Sequence, residues 1–146
     1  MVSDVEFSGK PLFVYGTLMS DKVFYKVLSV LEGDKVKKSQ YKLLHRVGLK
    51  GYKRCQVRNE LYPAAIKSIQ DSIEGVLIYG LSSKDMKYLD DFEGDEYERV
   101  SISVDDSDGN SIEAEFYEWT AGEEYLNIGI DWELDAFKID EFLKTF

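Results

Sequence analysis

The chain has 146 residues, 44% of them hydrophobic, 32% charged and 14% aromatic, with a formal net charge of −10. That length and hydrophobic content suit one folded domain and exclude a disordered chain, while the acidic balance makes nucleic acid and anionic membrane surfaces poor partners. Cys55 is the only cysteine, so no intramolecular disulfide can form, which fits a reducing, cytoplasmic setting.

Residues 1–10 read as a loose polar lead-in without an apolar segment of signal-peptide type, and the folded domain is expected over residues 11–146. No apolar run approaches the roughly 18 residues of a spanning helix. Leu12–Tyr15 is a short apolar run, predicted as a buried strand that Gly16 breaks. Ser20 is placed to cap a helix over Asp21–Leu31, whose apolar stripe is Val23, Phe24, Val27, Leu28 and Leu31. Gln40–Val47 and the weaker Gly51–Arg58 follow as strands. Asn59 turns the chain before Leu61–Ile66, where Pro63 favours an edge or a strand start. Ile73–Tyr79 is nearly continuous in apolar residues and is predicted as a central strand. Ser82 or Ser83 caps a helix through Phe92, with Met86, Leu89 and Phe92 on one side and Gly94 as its stop. Tyr97–Val104 alternates, with Val100, Ile102 and Val104 on one face. Asp108-Gly109-Asn110 then signals a hairpin to Ile112–Trp119. Glu133–Thr145 is predicted as a closing helix with Ala136, Phe137, Phe142 and Leu143 among its apolar positions. Strands dominate and two or three helices are interspersed. The fold class is therefore α+β: a single small mixed domain with a curled or barrel-like sheet.

The residue inventory narrows the chemistry. His45 is the only histidine, so a Cys/His zinc site lacks ligands. His45 reads as a strand residue near the surface, and Cys55 as a half-buried structural thiol whose basic neighbours would lower its pKa. No Gly-x-Gly-x-x-Gly or P-loop pattern is present, so no nucleotide cofactor is expected. Asp105-Asp106-Ser107-Asp108 lacks the spacing of a calcium loop and reads as a solvated turn.

Two segments carry the remaining signal. Val14-Tyr15-Gly16-Thr17-Leu18 is a strand, a glycine and a helix start, a turn that can point backbone N–H groups and a helix's positive end at a ligand. Gly16 removes a side chain that would block close approach. Leu89-Asp90-Asp91-Phe92-Glu93-Gly94, followed by Tyr97-Glu98-Arg99, sets several acids between a helix end and a strand start. Taken alone, the second segment reads first as a solvated acidic connection, although loops between fixed elements often carry sites. Tyr97 and Arg99 share a strand face. Tyr97, Tyr62 and Tyr117 suit either a cavity wall or the core, and Arg99 suits the surface.

In order and spacing these segments resemble the γ-glutamyl cyclotransferase-like family, which includes γ-glutamylamine cyclotransferases and avirulence-induced plant proteins. Phe13–Leu18 is similar to its N-terminal signature, Tyr62-Pro63-Ala64 and Glu74-Gly75-Val76-Leu77 to its middle, and Leu89–Gly94 with Tyr97–Arg99 to its catalytic segment. Trp132 and Glu141–Lys144 resemble the tail of the plant and fungal branch. Thr17 and Leu18 stand where members acting on γ-glutamyl amino acids often carry Ser-Asn; the γ-glutamylamine branch has Thr-Leu.

The resemblance implies a small barrel-like domain and a cytoplasmic acyltransferase or lyase without cofactor or metal. Tyr15, Gly16, Thr17 and Leu18 would bind a small γ-glutamyl substrate, and Glu93 would accept a proton. The implied reaction is ring closure: the substrate's α-amine attacks its own γ-carbonyl, releasing 5-oxoproline and an amine or amino acid. The substrate brings its own nucleophile, which agrees with a chain so poor in His and Cys. A non-catalytic module on the same fold, binding a small ligand or a protein, is the alternative.

Overall fold

The computed structural model describes residues 9–146, so most of the expected lead-in lies outside the described residues. The elements in chain order are β1 (Leu12–Val14), α1 (Asp21–Val27), α2 (Lys35–Lys38), β2 (Lys42–Val57), β3 (Pro63–Tyr79), α3 (Ser83–Glu93), β4 (Tyr97–Asp105), β5 (Ser111–Trp119), β6 (Leu126–Asn127) and α4 (Ala136–Leu143). The sheet runs β3-β1-β5-β4-β2, and β2 pairs again with β3, which closes five strands into a barrel; β6 extends one edge of β2. The α+β barrel-like reading therefore holds. Among the described residues no helix is long and apolar enough to cross a membrane.

Strand β1 shows how the core divides. It pairs antiparallel with β3 through Phe13↔Leu77 and parallel with β5 through Leu12↔Glu115. Its side chains alternate across the sheet. Phe13 joins Val47, Leu49, Leu77, Val104 and Phe116 in one core. Leu12 and Val14 join Val23, Phe24, Leu89 and Phe142 in a second core, which includes residues of α1, α3 and α4. A third cluster, Cys55, Ala64, Trp119 and Leu126, packs beside β6.

Helix α3 starts as the sequence predicts. Ser82 and Asp85 form a reciprocal capping box, and the helix ends at Gly94, whose φ is 69°. Asp85 also accepts a 2.9 Å hydrogen bond from the Tyr41 hydroxyl. Helix α1 is shorter than expected: it ends at Val27, and Leu31 is 77% exposed. Ser29, at φ 58°, turns the chain out of the helix. In α4, Ala136 and Phe137 are exposed, and Ile139 and Phe142 make the buried face instead.

Four predicted strands merge into two. β2 runs through both the second and third, with register shifts between Leu44 and Val47 and between Lys50 and Tyr52. Arg46 and Gly51, both at positive φ, sit at those shifts and absorb the irregularity that reads as a break in the sequence. β3 likewise spans Leu61–Ile66 and Ile73–Tyr79 apart from its first two residues, and residues 69–72 between them are exposed. Cys55 is fully buried rather than half-buried, and that burial pushes its thiol up despite the basic neighbours. His45 is exposed, and Asp106 accepts hydrogen bonds from the backbone of Asp108 and Asn110 within the exposed hairpin turn.

Candidate active site

A cavity of about 190 Å³ lies where the end of β1, the starts of β3 and β4, the end of α3 and the side of α4 meet. Tyr15, Gly16, Thr17 and Leu18 line it, and so does Glu93. Two segments almost eighty residues apart in sequence are thus brought to one pocket.

The chain does not pass straight from Gly16 into an α-helix. Thr17–Met19 form a short 3-10 turn, and α1 begins only at Asp21. The expected helix dipole is therefore displaced from the glycine. What remains is a set of N–H donors: those of Gly16, Thr17 and Leu18 bond to no acceptor among the described residues, although the carbonyls of Gly16 and Thr17 accept from Met19 and Ser20. Buried or pocket-lining N–H groups normally have partners, so these three are open to a ligand. Gly16 itself has a structural reason as well: a Cβ there would lie 2.8 Å from Cδ of Pro63. Arg54 braces the turn from behind, donating from Nη1 to the Tyr15 carbonyl at 3.0 Å while pairing with Asp131 at 2.8 Å.

Glu93 is the last residue of α3. A carboxylate at that end meets the negative pole of the helix, a placement stability does not favour. Its carboxyl receives no hydrogen bond and forms no ion pair among the described residues. Burial is the main cause that raises its pKa from 4.5 to about 8, and the charges of Asp90 and Glu96 add to it. Strong displacement of this kind marks groups poised for proton transfer.

Four tyrosines complete the wall. The Tyr15 hydroxyl donates to the Tyr117 carbonyl at 2.5 Å, Tyr97 to the Pro63 carbonyl at 2.7 Å, Tyr117 to Asp90 at 2.7 Å and Tyr62 to Glu96 at 3.2 Å. Desolvation pushes all four phenols up, so each is a neutral donor at ordinary pH. Phe92 and Phe142 add an apolar side, and no Lys, Arg or His lines the cavity among the described residues. Tyr62, Tyr97 and Tyr117 thus belong to the pocket as well as to the packing. In the sequence Phe92 and Phe142 read as apolar helix positions rather than cavity walls, and Glu96 carries no signal of its own. Arg99 is buried, not on the surface. No group of three or more His, Cys, Asp or Glu side chains among the described residues is arranged to hold a metal ion.

The family model described as "Gamma-glutamyl cyclotransferase, AIG2-like" matches residues 12–134, most of the chain. The chain belongs to this family. Among curated relatives, AIG2-like protein D of Arabidopsis thaliana is 28% identical over 138 residues, covering 91% of this chain and 84% of the relative. AIG2-like protein B of the same plant is 27% identical, covering 92% and 72%. The fold is shared with a solution structure of an Arabidopsis thaliana protein (TM-score 0.66, 22% identity, 99% and 84% covered). It is shared also with a structure described as gamma-glutamyl cyclotransferase (TM-score 0.60, 13% identity, 94% and 99% covered). Family membership supports an enzyme of γ-glutamyl cyclotransferase type at that general level.

Proposed function

We propose that this chain is a γ-glutamyl cyclotransferase in which Glu93 moves the proton and the Tyr15–Leu18 turn holds the γ-glutamyl group. The observation that carries the reading is the shared pocket: a partly buried carboxyl without protein partners beside three unengaged backbone N–H groups.

The α-amine of a γ-glutamyl amide enters largely as an ammonium and must lose a proton before it can attack. Glu93, raised to about 8, is a far better proton acceptor than an ordinary carboxyl. A carboxyl moved toward the amine's own range can take the proton and later return it. The freed nitrogen attacks the γ-carbonyl carbon and a five-membered ring closes. Negative charge gathers on the former carbonyl oxygen, and the N–H groups of Gly16, Thr17 and Leu18 are donors of the type that can stabilise it or hold the substrate carboxylate. Glu93 then returns its proton to the departing nitrogen as the old C–N bond breaks, giving 5-oxoproline and a free amine. Holding amine against carbonyl supplies much of the acceleration; well-oriented intramolecular reactions gain on the order of 7–11 kcal/mol.

The test is a turnover screen of γ-glutamylamines and γ-glutamyl amino acids with 5-oxoproline as readout. Glu93→Gln keeps size and hydrogen bonding but cannot take the proton, so it should lower kcat by at least about 100-fold in a folded protein. Full activity in that variant would remove Glu93 from the mechanism.

A further inference from the structure

Behind Glu93 lies a buried ionic cluster with no direct place in the ring closure. Arg99 on β4 grips Asp90 with two bonds, Nε to Oδ1 at 3.0 Å and Nη2 to Oδ2 at 3.2 Å. Its Nη1 reaches Glu115 on β5 at 3.2 Å. The Arg99 and Glu115 side chains are 4% and 5% exposed. Asp90 sits one helical turn before Glu93, on the same side of α3. Asp90 also accepts from the Tyr117 hydroxyl at 2.7 Å, and the Tyr117 carbonyl in turn accepts from the Tyr15 hydroxyl at 2.5 Å. One chain of bonds therefore links the last turn of α3, strands β4 and β5, and the turn after β1.

We propose that Arg99 is a positioning residue for Glu93, acting through Asp90 and Tyr117 to lock the end of α3 against the Tyr15–Leu18 turn. This rests on the proposed role of Glu93. A two-pronged guanidinium–carboxylate pair fixes orientation as well as distance. Lysine carries the charge but cannot form the fork. Asp90 is also one of the charges that face Glu93. Glu96 from the 3-10 turn after α3 is the other charge, and across the cavity the neutral phenols of Tyr15, Tyr62, Tyr97 and Tyr117 are the remaining titratable groups. Arg99 stands one residue further back, bonded to Asp90.

Two variants test this in the full chain. Asp90→Asn keeps the shape and, through Oδ1, can still accept from Arg99 Nε and Tyr117. Its NH2 faces the Arg99 Nη2 donor, so one prong of the fork is lost. Arg99 keeps Glu115, and the variant should fold. Arg99→Lys keeps the charge without the fork. Each should lower kcat by about 10- to 100-fold, as sub-ångström misplacement of a reacting group does, with KM changed far less. The carboxyl carbon of Glu93, followed by 13C NMR, should titrate at lower pH in Asp90→Asn than in the parent protein, because a repelling charge is gone. That readout needs no turnover. A parent protein that releases no 5-oxoproline from any γ-glutamyl compound overturns the cyclotransferase reading and leaves the NMR arm to decide this one. Folded variants with parental kcat, or an unmoved Glu93 titration in Asp90→Asn, would overturn the positioning role.

Discussion

Glu93 couples stability to pH. Its folded pKa of about 8 lies above the ordinary 4.5, so the folded chain holds this proton more tightly than the unfolded one. Folding stability from this group is present below 4.5 and is lost as pH rises through 8. Glu93→Gln removes that dependence, so the variant should melt higher than the parent at pH 9 and close to it at pH 4. Thermal unfolding at the two values checks it; a constant gap would mean that the carboxyl is not desolvated. Activity should follow the opposite course, with kcat/KM rising as the base ionises through about pH 8. The catalytic candidate itself could be read in the sequence through the pattern around it, but its neighbours could not. Tyr62, Tyr97 and Tyr117 suit a core or a cavity equally, because alternation says which side a residue takes and not what lies there. Arg99 reads as a surface residue because long cations are rarely buried, and its ion pairs with Asp90 on α3 and Glu115 on β5 make its burial tolerable. Replacing Arg99 by Met takes the guanidinium away from both carboxylates, and a loss of about 3–5 kcal/mol in urea unfolding is expected; a loss below 1 kcal/mol would show the cluster to be solvated.

At the scale of elements, closeness of packing decides more than propensity. Strand β1 runs so tightly against β3 that a Cβ on Gly75 would lie 2.3 Å from the Val14 carbonyl and 2.8 Å from the Phe13 ring. Gly75→Ala must push the strands apart or distort β3. It should cost about 1–3 kcal/mol, the usual penalty of overpacking, and weaken ligand binding through the shifted turn. An unchanged urea midpoint would mean that the pair tolerates more space than it shows. Most elements were legible from hydrophobic period and from stop signals such as Ser82 and Gly94. The errors share a cause: local pattern was asked to report tertiary geometry. Gly51 reads as a break but serves as a bulge inside one continuous strand. Leu31 and Phe137 fit an amphipathic stripe, yet neither meets a partner surface.

Across the whole molecule, barrel closure was the least legible feature, because it depends on a parallel contact between Leu12 and Glu115 that no local signal announces. Three residues of β1 join β3 to β5, and the chain leaves them directly into the Tyr15–Leu18 turn. The barrel's seam and the wall of the candidate pocket are thus the same piece of backbone. A molecule seated on that turn works as a latch, since the cylinder cannot unzip there without first letting go of its guest. A non-reactive γ-glutamyl analogue at 100 times its Kd should add about 2.7 kcal/mol to global stability and slow hydrogen exchange at the Phe13 amide more than in the distant hairpin at Asp106–Asn110. Equal protection at both places would mean that the cylinder opens elsewhere. Occupancy of a small cavity would then be readable as resistance of the entire fold to unfolding.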